Sequence, residues 1–233
     1  MRQLTIGLLG GIGWASTAEY YRLINELTVA RLGDAHSARI SLISMDQFDF
    51  TSRASEPDSR AIEAFLIEQG ARLKAAGADL FLFCANGVHR FAGAVVPHID
   101  LPFISIVDET AKRVQASAIR RVGLLGVQQT MSGRFYHDRL AACGIDVVTP
   151  APQDQQRIHD IIYTELVQNR ISERSRAFFV RVIQDLVRQG AGGVILGCTE
   201  IPLLVGQSDA AVPLFNTTAI HCQAAVAFAA GAR

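Results

Sequence analysis

Apolar and polar positions fall along this chain in blocks with two rhythms. Short, near-continuous apolar runs lie at Leu4–Leu9, Ile40–Met45, Asp79–Cys84, Phe103–Ile106, Val122–Leu125, Asp146–Val148, Gly193–Leu196 and Val212–Phe215. Continuous rather than alternating runs belong to parallel strands whose two faces are both covered by helices. Between them the apolar positions recur at helical spacing. Ser16-Thr17-Ala18-Glu19 has the spacing of a capping box, and Tyr20, Ile24 and Leu27 then share one face. A second helix is predicted from about Ser59 to Gly77, with Ile62, Leu66 and Leu73 inward. Others are predicted near 107–116, 131–142, 155–169, 173–189 and 217–230. The longest polar stretch, Asp46–Ser59, reads as a long strand-to-helix loop of the kind that serves a site.

The order βαβαβα occurs twice. It predicts an α/β protein of two pseudo-symmetric, doubly wound parallel-sheet lobes with the active site in the cleft between them. The tetrapeptide Gly-Leu-Leu-Gly at 7–10 and again at 123–126 marks the repeat. The first lobe is predicted to span 1–106 plus about 212–233, and the second about 107–211. Each repeat closes an apolar run on a thiol, Cys84 in one and Cys198 in the other; Gly7 to Cys84 is 77 residues and Gly123 to Cys198 is 75. Ligands of open parallel sheets bind beyond the carboxyl ends of the strands, so two thiols there predict two proton-transfer groups facing one carbon. A helix starting just after a thiol lowers its pKa, while the opposite thiol must stay protonated to return a proton. Cys143 and Cys222 lack this context and read as packing residues.

Composition narrows the classes. The chain has 233 residues, 49% of them hydrophobic, with 22 basic and 22 acidic side chains. Balanced charge without long like-sign blocks argues against a nucleic-acid partner. No apolar run approaches the roughly 20 residues that span a bilayer, which argues against a membrane. Arg2 and the apolar run from Leu4 imitate a signal peptide only faintly, since Gly10, Gly11 and Gly13 interrupt it. Four cysteines without close pairing fit a reducing cytosol, so a cytoplasmic location is expected. No CxxC or HExxH spacing suggests a metal site. Lys74 and Lys112 are the only lysines, and neither sits at a strand end where a pyridoxal-phosphate Schiff base would form. The segment Gly11-x-Gly13-x-x-Ser16 has the strand-to-helix context of a dinucleotide site but lacks the third glycine.

The residues 7–21, reading GLLGGIGWASTAEYY, with Cys84-Ala-Asn-Gly-Val-His89 and Gly197-Cys198-Thr199-Glu200, resemble the aspartate/glutamate racemase family over essentially the whole chain. The resemblance implies a cofactor-independent isomerase with an amino-acid substrate, in which Cys84 and Cys198 exchange acid and base roles. It implies substrate contacts from Ile12, Asn86, Gly87, Thr130 and Thr199, and a homodimer is compatible with it; His89 and Glu200, by their position beside the thiols, are the candidate supporting bases. Arg53, and after it Arg60, in the polar loop could clamp a second carboxylate bidentately. Gly87 stands where members carry threonine, Val127 where the turn after the second GLLG often does, and Val167 where aspartate-selective members carry lysine. The expected substrate range is therefore acidic or broader. A non-catalytic two-lobed binding protein, or a hydantoin racemase or decarboxylase of the same superfamily, is the alternative.

Overall fold

The computed structural model describes residues 3–231. The chain forms two compact units, the first running through Ile106 and resuming at His221, the second from Val107 to Ile220. Arg2 lies outside the described residues.

In the first unit β1 (Ile6–Gly10) is central, with β2 (Ile40–Ser44) and β3 (Leu80–Phe83) parallel on either side. Helices α1 (Trp14–Leu32), α2 (Gln47–Ala54) and α3 (Arg60–Ala75) connect them, and α4 (Ala92–Val95) lies between two 3-10 turns, Gly87–Phe91 and Val96–His98. Both faces of the sheet are covered at β1 and β3, while the edge strand β2 is partly exposed. Leu9, Phe81 and Phe83 pack with Ile62, Leu66 and Leu73 of α3. Ile6, Leu8, Leu80 and Leu82 pack with Tyr20 and Ile24 of α1 and with Cys222, Ala225 and Val226 near the end of the chain. The continuous apolar runs of the sequence have this cause.

After α5 (Ile106–Ala116), the second unit repeats the plan. Its parallel strands β4 (Arg121–Leu125), β5 (Asp146–Val148), β6 (Val194–Leu196) and β7 (Leu214–Asn216) stand in the order β5-β4-β6-β7. The helices are α6 (Gln128–Ser132), α7 (Arg134–Ala142), α8 (Pro152–Thr164), α9 (Glu173–Arg188) and α10 (Ile201–Leu204), and α11 (Thr217–Ala229) starts in this unit and passes at His221 into the first. The repeated Gly-Leu-Leu-Gly now has a physical reason. A Cβ on Gly7 would lie 2.8 Å from Leu73 of α3, and one on Gly123 would lie 2.8 Å from Leu186 of α9. In each central strand the first glycine lets the covering helix approach.

Four expectations change. Phe103–Ile106 is not a strand: Phe103 makes a single parallel bridge to Phe81, and Ile106 already opens α5. Val212–Phe215 does not return to the first unit. The strand that forms there, β7, pairs with β6 through Val194↔Leu214, so the crossing falls at His221 rather than about 212. The polar stretch Asp46–Ser59 is mostly helix α2, started by the Asp46 carboxylate, which accepts from the N–H groups of Phe48 and Asp49. The capping box at Ser16 is absent because α1 starts earlier, at Trp14 after Gly13. Among the described residues no helix is long and apolar enough to cross a membrane.

Candidate active site

At the carboxyl end of the first sheet the β1–α1 loop turns on Gly11, whose φ is +90° and whose Cβ would lie 1.9 Å from the Met45 carbonyl oxygen. Only glycine fits there. Ser16 and Thr17, freed from capping, fasten the loops instead. The Gly11 N–H donates to Thr17 Oγ1 at 2.8 Å, and the Ser16 hydroxyl donates to the Cys84 carbonyl at 2.7 Å. Cys84 follows β3 directly and its N–H still donates to Leu9, at 2.9 Å. Its side chain is buried, and burial pushes the thiol up from its ordinary pKa. Asn86 is also buried. Gly87 opens the following 3-10 turn, and a Cβ there would meet nothing within 4 Å. Ile12 is half-buried and packs on the α3-side core.

His89 and Arg53 are placed differently from expectation. His89 is buried beneath the turn, its Nδ1 2.9 Å from the Ala85 carbonyl, and burial pushes it down to about 4. Arg53 is already engaged: its Nη1 donates to Asp49 Oδ1 at 2.9 Å, and its guanidinium lies 4.6 Å from the Phe65 ring centre. Arg60 is paired with Asp58 and largely exposed.

The second sheet ends on a comparable set. Gly197 N–H donates to Leu125 at 2.7 Å, after which Cys198, Thr199 and Glu200 lead into α10. Cys198 is partly buried and its S–H donates to Glu200 Oε2 at 2.9 Å. Burial, and then the charge of Glu200, push this thiol well above its ordinary pKa. The expected depression by a helix dipole is therefore reversed at both cysteines. The turn after Cys84 is only five residues of 3-10 helix and α10 only four residues, so the desolvation of an anion outweighs them. Thr130 is fully buried against Gly126 and Gly197, and its hydroxyl has no hydrogen-bond partner among the described residues.

The two thiols are not in strict register. Cys84 comes one residue after Phe83, the partner of Leu9; Cys198 comes two residues after Leu196, the partner of Leu125. The repeat thus differs by one residue where each sheet meets its cysteine. The sequence reading also missed two residues of α8. His159 Nδ1 accepts from the Gln128 N–H at 3.3 Å, and its ring centre is 4.8 Å from that of Tyr163. Burial raises the Tyr163 phenol, as do the neighbouring Cys198 and the Glu200 carboxylate. Their four-residue spacing on one helix face was the available signal.

Fold and residues together define a two-lobed α/β protein with a cysteine past the third strand of each unit. The profile of the Asp/Glu/hydantoin racemase family matches residues 9–225, and the chain belongs to that family, as an isomerase of the racemase class. It is 42% identical to a candidate Asp/Glu racemase of Yersinia pestis, covering 99% of this chain and 100% of that one with a TM-score of 0.92. An aspartate racemase homologue of Pyrococcus horikoshii is 29% identical, with 97% and 99% covered and a TM-score of 0.88. The broad specificity amino-acid racemase RacX of Bacillus subtilis is 20% identical over 222 residues, 95% of this chain and 96% of that protein.

Proposed function

We propose that this protein racemises a free amino acid by removing the α-proton with one thiolate and returning a proton from the opposite thiol, with no added cofactor. The carrying observation is that each parallel sheet delivers a cysteine at the carboxyl end of its third strand, one of them hydrogen-bonded to a carboxylate. Both thiols are neutral before substrate arrives. Glu200 is placed to take the Cys198 proton, giving a thiolate and a neutral carboxyl. The substrate ammonium supplies the positive charge that makes this transfer favourable in a buried site. Among the described residues no base is hydrogen-bonded to the Cys84 thiol, and Cys84 is the resting proton donor. After the thiolate of Cys198 removes the α-hydrogen, the carbanion takes the Cys84 proton on its other face; the thiols have then exchanged states.

Asn86, Thr199, Thr130 and the backbone at Ile12 and Gly87 are the groups we assign to the substrate ammonium and carboxylate. The unpartnered Thr130 hydroxyl supports its share of that assignment. An acidic side chain would need Arg53 to leave Asp49 and Phe65, so we infer a substrate range broader than aspartate and glutamate. Screening the twenty amino acids, and hydantoins alongside, by chiral chromatography tests this reading. Turnover of several non-acidic amino acids supports it. Exclusive turnover of aspartate, lost on Arg53→Ala, overturns the broad range; turnover of hydantoins alone overturns the free amino acid.

A further inference from the structure

Two buried histidines of the first unit are left unused by that chemistry, and their hydrogen bonds fix the tautomer of each neutral ring. His89 Nδ1 lies 2.9 Å from the Ala85 carbonyl, which can only accept, so this nitrogen carries the hydrogen. Its Nε2 accepts from the Ile106 N–H at 3.2 Å and is therefore bare. In His221 the arrangement is inverted. Nε2 lies 2.7 Å from the Ile104 carbonyl and carries the hydrogen, while Nδ1 lies 2.8 Å from the Tyr20 hydroxyl, which donates to it. The ring centres are 5.6 Å apart at an interplanar angle of 63°, packed with Phe83 and Phe103. A second proton on His89 would point at the Ile106 N–H, which cannot accept it, and a second proton on either ring would sit beside the other imidazole.

Their place in the chain gives this pair a consequence. Ile106 is the last residue of the first unit before the chain crosses to the second, and His221 is the residue at which it returns. Ala85 lies in the turn that carries Cys84, whose own carbonyl is held by Ser16. One imidazole therefore bonds the thiol-bearing turn to the outgoing crossing, and the other bonds that same crossing from the returning helix.

We propose that His89 and His221 are positioning residues for Cys84: two neutral imidazoles of opposite tautomer that fasten the Cys84–Asn86 turn to both segments on which the chain passes between the units. This rests on Cys84 being catalytic. His89 touches no reacting atom and acts through the Ala85 carbonyl. A thiol displaced by even 1 Å loses much of its proton-transfer rate, while the substrate contacts we assign to Ile12, Thr130 and Thr199, outside this turn, are kept.

The test has two arms. In uniformly 15N-labelled protein at pH 7, two-bond proton–nitrogen correlations should show His89 protonated on Nδ1 and His221 on Nε2; identical tautomers, or an imidazolium at either, would overturn the clamp. In the second arm His89→Phe, His89→Asn and Tyr20→Phe are compared with wild type, using the amino acid turned over fastest and the rate at which iodoacetamide labels Cys84 and Cys198. His89→Phe should lower kcat roughly tenfold to a hundredfold, with a smaller rise in KM because Asn86 moves with the turn while Thr130 and Thr199 do not. His89→Asn, which keeps a donor near the Nδ1 position, should recover most of the loss. Cys84 labelling should change in the same order while Cys198 labelling does not. If His89→Phe does not fold, Tyr20→Phe should lower kcat by a smaller factor and alter Cys84 labelling alone. Wild-type kcat in the folded variants, or labelling altered equally at both thiols, would reject positioning. Full racemisation by Cys84→Ser would instead reject the catalytic assignment, and with it the positioning role, whatever the tautomers.

Discussion

Cys198 Sγ lies 2.9 Å from Glu200 Oε2, and the thiol is the donor. The same carboxylate has two opposed effects on the thiol. Its charge makes the thiolate harder to form, and its oxygen is the place to which the thiol proton can go.

Glu200→Gln separates these effects. Removing the charge should lower the Cys198 thiol pKa, so iodoacetamide labelling at alkaline pH becomes faster. Removing the base should lower kcat at neutral pH by roughly a hundredfold or more. Labelling and turnover moving in the same direction would show that Glu200 acts by charge alone.

Thr130→Val should divide stability from binding. The hydroxyl is buried without a partner, so an isosteric methyl should leave urea stability unchanged or raise it by about 1 kcal/mol. If the hydroxyl meets substrate, KM should rise severalfold at the same time. A loss of stability would mean that the hydroxyl is satisfied within the protein.

Freeing Arg53 should favour acidic substrates. Asp49→Ala removes its ion-pair partner, leaving the guanidinium only the backbone carbonyl of residue 49 and the Phe65 ring. Turnover of aspartate relative to alanine should rise, by about tenfold if one charge-assisted hydrogen bond forms. An unchanged ratio would place Arg53 out of reach of the substrate.

The buried histidines set an acid limit on the first unit. Burial pushes His89 down to about 4 and His221 down to about 3, the latter also through the neighbouring His89. Folded-state values below the ordinary 6.5 mean that the unfolded chain binds protons first as pH falls. The stabilisation is complete above about pH 6.5 and is lost progressively between 6.5 and 4, by roughly 3 kcal/mol for His89 alone. Urea unfolding at successive pH values should show this slope in wild type and a shallower one in His89→Asn. Equal slopes would remove the histidines from the account.

Much of this was legible in the chain before folding. The repeated Gly-Leu-Leu-Gly marks both central strands because its first glycine answers to a covering helix, a local requirement that leaves a local trace. The strand-end cysteines were legible for the same reason. Helix α2 was hidden because it is short, polar and mostly exposed, and only Asp46 announced its start. The pairing of β7 with β6, the one-residue offset between the thiols and the engagement of Arg53 by Asp49 depend on which segments meet. The raised thiol pKa values depend on burial, which periodicity does not report. His89 was visible as a motif residue, but its partners Ile106 and His221 reach it only through the fold.

The central claim is that two thiols act on one carbon, and proton exchange tests it most directly. Each enantiomer of the best substrate is incubated in deuterated water with wild type, Cys84→Ser and Cys198→Ser, without added pyridoxal phosphate or nicotinamide cofactor. Wild type should form the opposite enantiomer with deuterium at the α-carbon, and each variant should lose racemisation. Full racemisation by both variants, or activity only with an added cofactor, would contradict the account.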